Sequence, residues 1–299
     1  MLRDPFNREI QYLRLSVTDR CDFRCFYCLP RAFRDFETPG DWLDADEIER
    51  LVAQFAALGV RHVRLTGGEP LVRRELTEIA GRIAALPGID ELSLSTNAAR
   101  LADFAGSLRS AGVGRLNISL DSLDADTFKS ITGSALAPVL AGIEAARQHA
   151  FHPIKINMVM MRGINDHEAE AMVDYCLERN LTLRVIETMP VGDGGRDMHG
   201  SGPARYFRVG GSGLVVGFIT PRSQHFCESC NRVRLSVTGD LHLCLGQEDK
   251  LALRPLLRAG ASDEPIRQAI RQAIARKPQR HDFNETPTAI IRPMSALGG

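Results

Sequence analysis

Between Tyr12 and Glu187 six short β-rich runs, YLRLSV, HVRLT, ELSLST, RLNISLD, KINMVM and LRVIE, alternate with amphipathic stretches. Few folds accommodate that pattern. Each run is bounded by Gly, Pro, Asn or Asp. The segments between them repeat apolar residues at helical spacing. ADEIERLVAQFAALG, for example, is predicted as a helix entered at Asp44 or Asp46 and ended at Gly59; PVLAGIEAARQHA is a second. Serial βα units imply a parallel sheet, because each helix returns the chain to the same end of the strands.

An open doubly wound sheet and a curved barrel both satisfy that tally, and the positions of the polar residues separate them. Thr66-Gly67-Gly68-Glu69-Pro70 follows the second run and Ser95-Thr96-Asn97 ends the third. Ser119 and Asp121 mark the fourth, Lys155 and Asn157 the fifth, and Glu187 with Met189-Pro190 the sixth. A barrel brings the ends of all its strands to one site, whereas an open sheet gathers ligands at one switch point. Polar groups spread over every strand favour an α/β fold with an incomplete (β/α)6 TIM-like barrel.

After residue 190 the pattern breaks. VGDGGRDMHGSGPARYFRVGGSGLVVG reads as a glycine-rich loop, followed by strands at VVGFI and RVRLSV and by helices over EDKLALRPLLRAG and DEPIRQAIRQAIARK. The expected organisation is a barrel over residues 1–190 and a C-terminal α+β extension over 191–299. Positive and negative side chains balance at 37 each, so global charge gives no reason to expect a nucleic-acid partner. No stretch approaches the roughly 20 apolar residues of a membrane span, and no signal peptide is apparent. A cytoplasmic chain without a membrane or nucleic-acid partner is expected.

Seven cysteines fall at 21, 25, 28, 176, 227, 230 and 244. An odd number in tight groups points to metal ligands rather than disulfides. Cys176 stands alone in EAEAMVDYCLERN and reads as a small core residue. Cys21, Cys25 and Cys28 form C-x3-C-x2-C with no fourth cysteine nearby. Structural zinc wants four ligands, whereas a [4Fe–4S] cluster held at three corners keeps one iron open for a small molecule. Cys227, Cys230 and Cys244 make a second triplet. Here the spacing admits either zinc, completed by His225 or His242, or a second iron–sulfur cluster.

The C-x3-C-x2-C run with Tyr27 before its last cysteine, together with Gly67-Gly68-Glu69-Pro70, resembles the signature of the radical S-adenosylmethionine (radical SAM) enzymes. FCESCNRVRLSVTGDLHLCLG resembles the second cluster motif of the GTP 3′,8-cyclases within that superfamily, and YLRLSVTDRC, VRLTGGEPLVR, RLNISLDSLD, GPARYFRV and RPMSALGG have counterparts there too. That resemblance implies radical SAM-dependent cyclisation of GTP to (8S)-3′,8-cyclo-7,8-dihydroguanosine 5′-triphosphate, the first step of molybdenum cofactor biosynthesis. It implies two [4Fe–4S] clusters and SAM as cofactors, with Cys21, Cys25 and Cys28 on the SAM cluster and Cys227, Cys230 and Cys244 on the second. Tyr27, Gly68, Ser119 and Met189 would contact SAM. Arg14, Arg64, Ser95, Lys155 and the run Arg232-Val233-Arg234 would contact GTP.

By the same resemblance, a 5′-deoxyadenosyl radical from SAM removes the ribose 3′ hydrogen, the resulting carbon radical adds to C8 of guanine, and one electron plus a proton quench the product, so no acid–base catalytic residue is expected. Arginines suit a triphosphate because their forks are always charged, and Arg232 and Arg234 share one face of their strand. The implied partners are GTP, SAM, a reductant protein, the downstream cyclic pyranopterin monophosphate synthase and a second copy in a homodimer. The Gly298-Gly299 tail would enter the active site. The sequence departs from the family at Ala98, where a glycine is usual, and in the short stretch between Met189 and Gly202. The alternatives are a radical SAM enzyme acting on a peptide, and a non-catalytic metal-stabilised binding or redox module.

Overall fold

The computed structural model describes residues 1–29, 33–187, 202–208, 214–220 and 226–281. All six β-rich runs are strands: β1 (Tyr12–Ser16), β2 (His62–Thr66), β3 (Glu91–Thr96), β4 (Arg115–Ser119), β5 (Ile154–Val159) and β6 (Thr182–Ile186). Between them lie α1 (Ala45–Ala57), α2 (Leu76–Ala84), α3 (Leu101–Ser110), α4 (Ala125–Thr132), α5 (Ala137–Gln148) and α6 (Ala169–Glu178). Asp44 is the residue that opens α1. Its side chain accepts from the Glu47 amide at 2.8 Å while Glu47 accepts from the Asp44 amide at 3.1 Å, which satisfies two otherwise orphaned donors. Gly59, at φ +106°, lets the chain leave.

The C-terminal part adds β7 (Gly202–Arg208), β8 (Val215–Thr220), β9 (Arg232–Leu235), β10 (Asp240–His242), β11 (Lys250–Ala252), α7 (Arg254–Arg258) and α8 (Asp263–Ile274). Two expectations fail here. Residues 202–208 lie in the stretch read as loop, yet pair antiparallel with β8. The first half of EDKLALRPLLRAG is strand β11, paired with β10, and the helix starts only at Arg254. Pro255 explains that start, since proline fits the first turn of a helix but not its interior.

The strands form one sheet in the order β11-β10-β9-β1-β2-β3-β4-β5-β6-β8-β7. From β9 through β8 every neighbouring pair is parallel. The sheet is curved: side chains of β1 through β6, β8 and β9 all line one cavity, which a flat sheet could not arrange. Alternate positions such as Leu13, Leu65, Leu94, Ile118 and Ile156 turn outward and are fully buried. Each such side chain contributes roughly 1.5–3 kcal/mol by leaving water. Cys176 is buried in α6 among them, as its isolation in the sequence led us to expect.

Candidate active site

The loop after β1 carries the first cysteine triplet. It is fixed by the Arg24 amide donating to the Thr132 carbonyl at 2.9 Å and the Cys28 amide donating to that of Cys25 at 3.0 Å. Cys21, Cys25 and Cys28 line a cavity of about 200 Å³ with Tyr27, Gly68, Ser95, Ser119, Asp121 and Glu187. The glycines of the Gly67-Gly68-Glu69-Pro70 turn are demanded by packing. A Cβ on Gly67 would fall 2.2 Å from the Thr18 carbonyl oxygen, and one on Gly68 2.2 Å from that of Arg20. The turn is thereby seated directly on the cysteine loop, with the Glu69 amide donating to the Arg20 carbonyl at 2.8 Å.

Carboxylates frame this cavity. Asp121 accepts from the Tyr27 hydroxyl at 2.6 Å and from the Val159 amide at 2.8 Å, which orients the tyrosine between two cysteines. Glu69 is 1% exposed and accepts from Thr96 Oγ1 at 2.7 Å and from the amides of Asn97 at 2.6 Å and Leu71 at 3.0 Å. Burial raises the Glu69 carboxyl to about 7 and the Asp121 carboxyl to about 6. Burial, then the Asp121 charge, pushes the Cys28 thiol up to about 12; burial likewise lifts Cys21 and Cys25.

A larger cavity of about 740 Å³ lies on the other side of Asn157 and Ile186, which line both spaces. Arg14, Arg64, Lys155, Arg232 and Arg234 line it together with Cys227, Cys230 and Cys244. Register brings the arginines into line, since Arg14 lies beside Arg64 on one side and Arg234 on the other. Burial, then the charges of Arg234, Arg64 and Arg232, holds the Arg14 guanidinium well below its usual range, and its Nε is buried without a partner. Arg64 lies 5.3 Å from the centre of the Tyr12 ring, and Arg232 stacks 4.6 Å from that of Phe226. Arg14 and Arg64, desolvated and repelled by neighbouring cations, favour an anion in this cavity.

The two triplets suit a cluster better than one metal ion. Among the described residues no three His, Cys, Asp or Glu side chains are gathered closely enough for a single ion. His242 lines the larger cavity, and His225 lies outside the described residues. Each set of three thiols instead borders a cavity with room beside it, which fits a group larger than an ion. At the second triplet burial raises Cys227 and Cys244, whereas at Cys230 burial is overcome by the charges of Lys277, Arg232 and Arg8, and its thiol is lowered.

Of the residues expected to contact nucleotide, Ser95 lines the smaller cavity and the others the larger. Val233 borders the larger cavity, but it belongs to the hydrophobic core and alternates in direction with its neighbours. Met189, Gly298 and Gly299, and the short stretch after Met189 up to residue 201, lie outside the described residues. Three side chains that border the cavities are not among the expected site residues. Arg184, on β6, donates to Asn117 Oδ1 at 2.5 Å within the larger cavity; its place in the alternation of LRVIE, two residues before the lining Ile186, was a usable signal. Asp121 was noticed only as a strand-end polar group. Lys277 carried no signal, because it stands as the last residue of the predicted helix DEPIRQAIRQAIARK, where a basic side chain reads as solvent-facing, whereas the helix ends at Ile274.

The Radical SAM superfamily model matches residues 15–176, and the Molybdenum Cofactor Synthesis C model matches 195–283. A GTP 3′,8-cyclase of Hydrogenovibrio crunogenus is 45% identical over 329 aligned positions covering 100% of this chain and 99% of its own. One of Paracoccus denitrificans is 46% identical, covering 100% and 96%. The chain belongs to the GTP 3′,8-cyclase family. As a radical SAM protein it uses a [4Fe–4S] cluster and SAM. The alignment of 329 positions against 299 residues shows that this relative carries segments absent here. Streptococcus suis SuiB bound to S-adenosylmethionine shares the fold, with a TM-score of 0.63 at 16% identity over 96% of this chain and 77% of its own. Among the described residues no helix is long and apolar enough to cross a membrane.

Proposed function

We infer that this protein is a radical SAM enzyme that cyclises GTP to (8S)-3′,8-cyclo-7,8-dihydroguanosine 5′-triphosphate at the start of molybdenum cofactor biosynthesis. The observation that carries this reading is the pair of cavities sharing Asn157 and Ile186, one bordered by carboxylates and three thiols, the other by arginines and three more. In this reading Cys21, Cys25 and Cys28 hold the SAM cluster, and Cys227, Cys230 and Cys244 hold a second [4Fe–4S] cluster. Cluster and SAM together supply hydrogen-atom abstraction. The protein's part is placement.

Tyr27, Gly68, Ser119 and Met189 position SAM, and Ser95 stands on SAM's side of the shared wall. Asp121 keeps Tyr27 in place through its 2.6 Å hydrogen bond. Arg14, Arg64, Lys155, Arg232 and Arg234 bind the triphosphate, with Val233 contributing backbone. Forked guanidinium groups on three adjacent strands grip phosphate oxygens from several directions. The shared wall then aims the ribose at the SAM side. Residues 1–190 serve SAM and 191–299 complete the nucleotide site, with Gly298-Gly299 entering it. A cytoplasmic setting, an external reductant protein, a downstream synthase that consumes the cyclised nucleotide and a homodimeric assembly belong to the same proposal.

The test uses anaerobically reconstituted protein with SAM and reductant, given GTP, ATP or no nucleotide. The reading expects 5′-deoxyadenosine and an altered guanine product with GTP alone. Equal slow SAM cleavage in all three would remove GTP as substrate.

A further inference from the structure

Lys277 follows α8 and is 3% exposed. Its ammonium donates to the Arg232 carbonyl at 3.0 Å and to the Leu243 carbonyl. Those carbonyls belong to the segments that carry two of the second triplet's thiols: Arg232 is two residues beyond Cys230, and Leu243 immediately precedes Cys244. The third cysteine is braced from the same stretch of chain. Arg8 donates to the Cys227 carbonyl at 2.6 Å and, on its other contacts, to the carbonyls of Pro278 at 2.6 Å and Gln279 at 2.8 Å.

The two cations differ in one respect. Arg8 has a counter-charge, Asp4, at 2.5 Å. Among the described residues Lys277 donates to two neutral carbonyls and forms no ion pair with a carboxylate. A buried ammonium held by neutral groups is costly unless an anion sits beside it. Lys277 lines the larger cavity with Cys227, Cys230 and Cys244, so that cavity is where the anion must be.

We propose that Lys277 is the counter-ion and positioning residue of the second iron–sulfur cluster, tying the Cys230 and Cys244 segments together and supplying the positive charge that eases the cluster's reduction. The proposal rests on the reading that this triplet holds such a cluster. A fixed positive charge stabilises the more negative, reduced form, so its removal lowers the reduction potential.

The experiment uses the full-length chain with Cys21, Cys25 and Cys28 replaced by alanine, which leaves one cluster to observe after reconstitution. Iron and sulfide content, the midpoint potential by redox-poised electron paramagnetic resonance, and GTP binding are measured for this parent and for Lys277→Gln and Lys277→Arg made in it. Glutamine keeps a donor while dropping the charge; arginine keeps the charge. We expect a lowered potential and reduced iron retention in Lys277→Gln, and near-parental values in Lys277→Arg. An unchanged potential in Lys277→Gln overturns the proposal. So does a loss confined to GTP binding, which would make the triphosphate the anion Lys277 faces. If Lys277→Gln does not fold, Lys277→Arg decides: a parental potential supports the assignment, and a lowered one overturns it. A parent that binds no iron removes the second cluster, and the proposal with it, while leaving GTP binding as a separate readout of the nucleotide site.

Discussion

The charges acting on Cys21, Cys25 and Cys28 come from Glu69, Asp121 and Asp22, whereas those acting on Cys227, Cys230 and Cys244 include Lys277, Arg232 and Arg8. The ligand residues are the same, but their surroundings have opposite sign. SAM carries a sulfonium and an ammonium, so an acidic wall suits it; a nucleoside triphosphate is a polyanion, and a basic wall suits that. On the proposed assignment, sorting charge across Asn157 and Ile186 would give each ligand one favourable side before any specific contact forms.

The largest expected effects come from removing one triplet's function at a time. Cys25→Ala should reduce SAM cleavage to background while iron remains at the second triplet. Cys230→Ala should abolish nucleotide cyclisation yet leave SAM cleavage measurable. Quantified 5′-deoxyadenosine and iron per chain check both; if the two variants behave alike, the division of labour is wrong.

Next in size is Arg14→Met. Losing a desolvated cation from the anion site should weaken GTP binding by about 3 kcal/mol, roughly a hundredfold. The same change relieves repulsion from Arg234, Arg64 and Arg232, so the ligand-free protein should gain about 1 kcal/mol. Calorimetric binding and denaturant melts should therefore move in opposite directions. A stability loss would mean that Arg14 is structural.

The acidic side predicts a pH effect. Burial raises Glu69 from 4.5 to about 7, so the folded state holds that proton more tightly than the unfolded chain does. The resulting stabilisation is fully present below pH 4.5 and is lost as pH rises toward 7, with a slope of up to about 1.4 kcal/mol per pH unit. In metal-free protein Glu69→Gln should flatten stability across that window. A slope unchanged by the substitution would place the titration elsewhere.

The smallest effect concerns Ala98, buried two residues beyond β3 with φ +62°. A left-handed alanine is strained relative to glycine, but glycine costs chain entropy on folding, so Ala98→Gly should stabilise by about 0.5 kcal/mol. Thermal melts of the metal-free protein resolve the sign.

The six barrel strands were legible as short β-rich runs bounded by turn residues, most of them alternating inward polar and outward apolar residues, as in Tyr12-Leu13-Arg14-Leu15. Strand β7 was not, because GPARYFR has no such alternation and its place is set by backbone pairing to β8. The cysteines and Arg14, Arg64, Arg232 and Arg234 could be picked out one by one, but their convergence depends on register. The division of Ser95 from the arginines could not be read, since height along a strand, not residue type, decides which cavity a side chain meets. Lys277 was invisible for a related reason: its role is given by the carbonyls of Arg232 and Leu243, which any sequence would supply.

The pairing of β9 with β1 also bears on how the molecule comes into being. Translation delivers the first strand long before its neighbour at residue 232, so the edge of β1 beside Arg14 stays open while more than two hundred residues are made. Barrel units can collect in order on the emerging chain, but the anion pocket cannot exist until the tail end docks against the beginning. Such long-range closure is slow relative to local packing. Assembly of the SAM half should therefore precede nucleotide competence in time, and a ribosome-stalled chain ending before Cys227 would present the first triplet without the second.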